Sequence, residues 1–276
     1  MEELMSFEQI QEKTIQNSVI VNAEKSTMSG NSKIVFAGKN NILFIEDGVC
    51  LRNSTISFRG DNSIVYLSKN KHNYWVRITV FNDSTVYMGR DCYIDGIMTL
   101  IASERQNILI GNEGLFSFGI FVRTSDPHLL YDCETKRRIN VSRSVLIGDH
   151  VWIGQNSLIL KGTTIGSGTV IGGAAVLSKK MIASNVVACG NPARIVRRNV
   201  FFMADCVQGW TSERTEKYEI MDTNKHIYYA EPQSVTLEQI DAELKSSTTT
   251  DHRLELIQEL LVNNGNKNRF AIKEVK

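Results

Sequence analysis

Five histidines, five cysteines and one short basic run carry most of the reactive chemistry in this chain, and their spacing narrows what that chemistry is. Cys50, Cys92, Cys133, Cys189 and Cys206 are odd in number and scattered, with no C-x-x-C pair, so they read as reduced, mostly packed thiols. His72, His128, His150, His226 and His252 include no close pair that would place two ligands on one element, and no metal site is expected from them. A single imidazole does something else well: with an ordinary pKa of about 6.5 it takes and returns a proton near neutrality. His128 is the histidine whose setting points that way, because it follows Thr124-Ser125-Asp126-Pro127 in a polar stretch that interrupts a repeat. Lys136, Arg137, Arg138 and Arg143 lie in the same stretch, where they either face solvent or meet an acidic ligand.

A repeat supplies the scaffold. From Ile147, aliphatic side chains recur every sixth residue at Ile153, Ile159, Ile165, Ile171 and Leu177, and Gly148, Gly154, Gly166 and Gly172 follow four of these positions. A helix repeats its apolar face about every 3.6 residues and a strand every two, so neither explains this pattern. Six residues make one short strand and one tight corner, and three such units close a triangular coil. The same step runs earlier through Ile110, Phe116 and Val122, stops at TSDPHLLYDCETKRRINVSRSV, and resumes at Ile147. A coil has no room for so many polar residues, so the stretch protrudes, and ordered excursions from rigid scaffolds are where function concentrates.

The sequence therefore predicts a mainly β protein: a parallel β-helix of hexapeptide repeats over residues 17–200, with a loop inserted over about 124–144. Earlier coils are looser, with Ile42-Leu43-Phe44-Ile45, Ile56-Ser57-Phe58 and Ile64-Val65-Tyr66-Leu67 set between Gly, Asn and Asp corners; a separate β-sandwich is the competing arrangement. Residues 1–16 are expected to form a helical cap, signalled by Ser6-x-x-Gln9. In the extension over residues 201–276, Thr236-Leu237-Glu238-Gln239 opens a helix through Lys245, and a second starts at Asp251 and ends near Asn264-Gly265. Two such helices have no core of their own, so they must pack on the solenoid, a neighbouring subunit or a partner.

With 276 residues and 42% hydrophobic content the chain can bury a large core, while 31 basic against 30 acidic side chains give no global field for nucleic acid or an anionic membrane. The acidic N-terminus is wrong for a secretory leader and no apolar run spans a bilayer, so a cytoplasmic location without a transmembrane segment is expected.

The run IGDHVWIGQNSLILKGTTIGSGTVIGGAAVLSKK, closed by GNPARIV and preceded by TSDPH and its loop, resembles the hexapeptide-repeat acetyltransferases of the galactoside, maltose and capsule O-acetyltransferase type. The resemblance is close over about residues 108–198 and one of style in the earlier coils. It implies a left-handed β-helix, a homotrimer with sites between subunits, and acetyl-CoA as acyl donor without a metal. By resemblance His128 is the general base and Trp152 shapes the site near acceptor and thioester. Gly154, Gly173 and Ala174 would meet the pantetheine arm, with Ser178 and Lys179 nearby, and Lys180, Arg194 and Arg197 the nucleotide phosphates. On the acceptor side, Ser125 is a candidate donor to the developing oxyanion, Asp126 orients the loop or the imidazole, and Arg138 and Arg143 suit an acidic saccharide polymer, as in a capsule. Three departures stand out: MIASN follows Lys180 where members carry a proline-containing turn, which shifts the cofactor contacts by a residue; the asparagine that some members use to hold a sugar has no assigned counterpart; and the C-terminal 75 or so residues have none in the smaller members.

Two other classes compete with O-acetylation of a saccharide. The same base would serve an amine acceptor, and a solenoid that lost catalysis would be a scaffold. The γ-type carbonic anhydrases share the architecture but need three zinc-binding histidines, including an H-x4-H pair this sequence lacks.

Overall fold

The computed structural model describes residues 1–7, 9, 18–21, 25–232 and 234–274. Its centre is a three-sided solenoid. Two faces are sheets of eight strands each, and the third has six. The first face includes Lys33–Phe36, Thr55–Phe58, Val76–Val80, Met98–Ala102, Phe121–Arg123, Leu158–Leu160 and Val176–Leu177. The second includes Ile42–Ile45, Ile64–Leu67, Thr85–Met88, Asn107–Ile110, Val145–Ile147 and Thr164–Ile165, and the third includes Leu115–Phe116, Trp152–Ile153, Val170–Ile171 and Val186–Gly190. Successive strands on a face are parallel and in register, as Leu115 over Trp152 and Trp152 over Val170 show. This is the parallel β-helix with a C-terminal helical extension that the six-residue period implied.

The period identifies the interior. Ile147, Ile153, Ile159, Ile165, Ile171 and Leu177 are all buried, with Ile110, Phe116 and Val122 before them. Each points inward from a short strand, one per face, so three hexads make one coil and the side chains stack in three columns along the axis. Contacts across one coil in this region span 18 residues, as between Asp149 and Ser167. In the N-terminal half the span is 22 residues, as between Ser63 and Asn41 or Val76 and Ser54, because strands of four residues and wider Asn-rich corners replace the hexad. Many of these corners carry a residue with positive φ, among them Asn40, Asn62 and Asp83; Asn and Asp enter the left-handed region more readily than other side chains. The last coil is short by one residue. A sixth step from Leu177 lands on Ala183, yet Ile182 is the residue that pairs with Ile165.

Of the residues expected as an N-terminal helical cap, half, including 10–16, lie outside the described set; Glu2–Leu4 is a strand, antiparallel to Lys33–Phe36. After the solenoid's last strand, Ala193–Arg198, come α1 (Ser212–Lys217), α2 (Leu237–Ser246) and α3 (Thr250–Ile257), the last continuing as a π-helical turn over Gln258–Val262. Helix α2 begins as its sequence specifies: the Thr236 hydroxyl accepts from Gln239 N at 3.2 Å, and the Gln239 side chain accepts from Thr236 N at 2.8 Å. Helices α2 and α3 with its π-helical turn pack on the outer side of the second face, where Leu237, Ile240, Leu244, Ile257 and Leu261 meet Ile42, Phe44, Tyr66, Tyr87, Leu109 and Leu146. A buried pair secures them: Arg269 donates to both carboxylate oxygens of Asp149 at 2.8 Å and caps the carbonyls of Leu261 and Asn264. No helix among the described residues is long and apolar enough to cross a membrane.

Candidate active site

The first face delivers its sixth strand, Phe121–Arg123, and the second face resumes only at Val145, so the segment between them leaves the coil at one corner. It folds back on itself as a small antiparallel turn. Tyr131 bridges Arg138, Ile139 N donates to the Leu130 carbonyl at 2.9 Å, and the Asp132 carboxylate caps the tip by accepting from Thr135 N at 2.7 Å. Contacts across this coil span 37 residues, against 22 before it and 18 after it.

One buried amide holds the root of the loop. Asn140 Nδ2 donates to the Asp126 carboxylate at 3.1 Å and to the His128 carbonyl at 2.7 Å, while Asn140 Oδ1 accepts from Leu130 N at 2.9 Å and from Arg138 Nε at 3.2 Å. Two acceptors on one side and two donors on the other fix which way the amide faces. Beneath it, buried Lys161 donates to Asp126 Oδ2 at 2.5 Å and to the Asn140 carbonyl at 3.0 Å. That ammonium holds the Asp126 carboxyl below its usual range, with help from Asn140. A second clasp lies alongside. Arg138 grips Glu104 of the preceding coil with two parallel bonds of 2.7 and 2.9 Å, and Ser142 donates to the same carboxylate. Arg138 first, then Ser142, lowers the Glu104 pKa.

These contacts sort the expected site residues. His128 is exposed, and its backbone is pinned where its carbonyl accepts from Asn140. Asp126 is aimed at Lys161 and Asn140, so within this chain it orients the loop. Ser125 is buried at the loop's base, its hydroxyl 2.5 Å from that of Ser103. Arg138 is engaged by Glu104, whereas Arg143 is an exposed side chain beside Gly162. Trp152 stands half-exposed on the outer side of the third face, tilted against Phe202 at 5.8 Å. The loop leaves between the first and second faces, so one chain sets His128 and Trp152 on different sides of the prism.

The expected cofactor residues fall into two groups. Gly154, Gly173 and Ala174 line the corner between the third and first faces: a Cβ at Gly154 would sit 2.5 Å from Gly173 N, and Ala174 N donates to the Gln155 carbonyl at 2.8 Å. Arg194 joins them, since it pairs with Cys189, which lies directly beyond Gly172. Arg197 lies farther along the same strand, opposite Val187. Ser178, Lys179 and Lys180 lie on the other side of the strand Val176–Leu177, at the corner that carries the loop, where Lys179 N donates to the Lys161 carbonyl at 3.0 Å. The one-residue shortening of the last coil begins just past Lys180.

Glu104, Asn140 and Lys161 were not singled out from the sequence. Each is an ordinary polar residue, and the only available signal was that Lys161 occupies a corner of the repeat that closes beneath the loop. His150 is a corner residue of the coil: its φ is 51° and its ring is buried between Phe202 and His226.

Comparison with known proteins agrees with this architecture. Residues 144–179 match the model for the bacterial transferase hexapeptide (six repeats) family. A polysialic acid O-acetyltransferase from Neisseria meningitidis is 28% identical over 131 residues, 47% of this chain and 60% of that protein. A polysialic acid O-acetyltransferase from Escherichia coli O1:K1 / APEC is 36% identical over 148 residues, 54% of this chain and 44% of that protein. The chain thus spans about half the length of the curated relatives it matches. Among solved structures, the polySia specific acetyltransferase NeuO superposes with a TM-score of 0.57 at 27% identity, covering 73% of this chain and 97% of the other.

Proposed function

From the premise that this chain belongs to the hexapeptide-repeat acetyltransferases, we propose that it transfers acetyl from acetyl-CoA to a hydroxyl of a saccharide, an acidic capsular or cell-surface polymer, with His128 as general base. The observation that carries this reading is the pinned loop: a solenoid similar to polysialic acid O-acetyltransferases is interrupted after Arg123, and the interruption presents one imidazole on a backbone tied down by Asn140. A base that must approach a hydroxyl within hydrogen-bond reach gains from such fixing.

The steps balance without a covalent enzyme intermediate. His128 takes the proton of the acceptor hydroxyl as its oxygen attacks the thioester carbon; the tetrahedral oxyanion collapses, the C–S bond breaks, and the imidazolium returns the proton to the CoA thiolate. The oxyanion would be met by a backbone N–H or by the Ser125 hydroxyl, which can accept from Ser103 and keep its own proton to donate. Exposed Arg143, with Lys136 and Arg137, supplies cations for the carboxylates of an acidic acceptor.

The complete site lies between two copies of this chain. The loop exposes Leu129, Leu130, Tyr131, Ile139 and Val141, each more than half exposed, an apolar surface that calls for a cover. A neighbouring solenoid in a homotrimer would cover it and bring Trp152 and the Gly154–Gly173–Ala174 corner of one subunit to His128 of the next. Two cavities of the single chain lie elsewhere, under the C-terminal segment, around Phe270 and Ile272 and around Tyr228 and Lys273.

Thiol release from acetyl-CoA tests the proposal, with oligosialic acids, neutral oligosaccharides and amino sugars as acceptors. One saccharide should drive release, and His128→Ala should lose most of it while still binding CoA. Release that needs an amine would replace the acceptor class, and release that survives the substitution would remove His128 from the mechanism.

A further inference from the structure

We infer that this chain carries a divalent-metal site, separate from the acetyl-transfer site and independent of that assignment, formed by Glu113, His150 and His226 and suited to zinc. Its origin is the geometry of the coil. Glu113 and His150 are successive corner residues between the second and third faces, with φ of 57° and 51°, and His150 N donates to the carbonyl of Asn112 at 2.7 Å. Two side chains leaving the same corner in the same backbone conformation emerge in parallel, one rung of about 4.8 Å apart. The C-terminal segment then lays His226 across that corner, with its ring 3.8 Å from the ring of His150. The three potential ligand atoms, two imidazole nitrogens and a carboxylate oxygen, all lie within 4.8 Å of one another.

A second observation points to a ligand. His150 is 4% exposed, its Nδ1 is buried without a hydrogen-bond partner, and its Nε2 sits 3.1 Å from the carbonyl oxygen of Phe202. A carbonyl only accepts, so Nε2 carries the proton and Nδ1 keeps its lone pair. Metal-binding imidazoles are commonly held this way, the outer nitrogen donating to a fixed acceptor while the inner one faces the ion. A buried, unpartnered lone pair is otherwise costly.

The surroundings select the metal. Arg90, Lys225 and Lys267 line the adjacent cavity of about 280 Å³, so a hard cation bound through charge is disfavoured. A borderline metal that gains from imidazole nitrogen tolerates that field better. Tetrahedral zinc with bonds of about 2.1 Å needs its ligand atoms roughly 3.4 Å apart. The near-parallel rings, 15° between planes, must therefore tilt toward convergence as the ion enters, with His226 moving on its turn between Asn224 and Ile227. A bound ion would clip the segment following the solenoid to the corner, next to Phe202, which packs on Trp152.

The test is titration of the chelator-stripped full chain with Co2+, followed by competition with Zn2+. One equivalent should bind with the absorption of a four-coordinate nitrogen and oxygen site, and Zn2+ should displace it and raise the melting temperature. Exposed Glu113 is the safe position to alter: Glu113→Gln and, separately, His226→Gln should each weaken Co2+ binding more than about tenfold with the circular dichroism of the solenoid unchanged. Absence of stoichiometric binding at micromolar Co2+, a thiolate charge-transfer band that assigns the ion to cysteine, or unchanged affinity in the Glu113→Gln, His226→Gln double variant would each overturn the site.

Discussion

Asn140→Ala is the sharpest perturbation available, because one buried side chain makes four hydrogen bonds and all four belong to the loop. A neutral intramolecular hydrogen bond contributes about 0.5–1.5 kcal/mol net, and a partner left buried and unpaired costs more. Asp126, His128 and Leu130 are exposed residues whose freed groups can rehydrate, so the four bonds together amount to about 2–3 kcal/mol rather than their upper sum. At about 1.4 kcal/mol per factor of ten, loop opening becomes roughly 30- to 150-fold more frequent. Hydrogen exchange reads this directly: the amides of Leu130 and Ile139, bonded to Asn140 Oδ1 and to the Leu130 carbonyl, should lose that much protection. The melting temperature should fall by no more than about 12 °C, since 1 kcal/mol shifts a chain of this size by about 2–4 °C. Acetyl transfer should fall through turnover, with CoA affinity unchanged because Asn140 touches none of the expected cofactor residues. Unchanged protection of Leu130 and Ile139 would refute the claim that Asn140 roots the loop, and a larger collapse in melting temperature would place it in the coil's own core.

Other perturbations test the remaining joints. Asp126 and Glu104 both have folded-state pKa values below their usual ones, so their ion pairs contribute fully above about pH 4 and are lost as the pH falls through the lower folded values. Both carboxylates are more than a third exposed, so the contribution is modest; loop protection should decline as the pH falls below about 4, less so in Lys161→Met, and a flat profile would contradict the clasp. Arg269→Leu leaves the Asp149 carboxylate buried without its partner and should destabilise by about 3–5 kcal/mol in a denaturant titration, with early proteolysis after Val200; an unchanged midpoint would mean that the pair does not hold the helices. Gly154→Ala would put a Cβ 2.5 Å from Gly173 N, forcing two coils apart; the expected outcome is a loss of about 1–3 kcal/mol and weaker CoA binding, and calorimetry showing neither would remove this corner from the cofactor path.

How much of this could be read from the chain follows from how a solenoid makes neighbours. The six-residue step identified the columns of Ile147, Ile153 and Ile159 without error, because inward-facing side chains repeat with the coil and nothing else competes for those positions. It also located the loop, since a break in a strict period is visible. Helix α2 was legible because its capping box is local, four residues that bond among themselves. Where it docks was not, because the groove on the second face is built from outward-facing residues such as Tyr66, Tyr87 and Leu109, whose exposure the period does not predict. The clasp was invisible for a related reason. Arg138 reaches Glu104 over 34 residues, Lys161 reaches Asp126 over 35, and Ser142 reaches Glu104 over 38; none of these separations is a multiple of the hexad. In a solenoid, side chains one coil apart are neighbours, but which residues those are depends on the length of each coil, and here it changes from 22 to 37 to 18. Glu113 and His150 obey the same rule, 37 residues apart in sequence yet one rung apart on the corner, which is why histidine spacing alone gave no sign of a metal ligand set. The inserted loop thus does two things at once: it takes His128 out of the coil, and by lengthening that coil it decides which side chains meet beneath it and on the next corner.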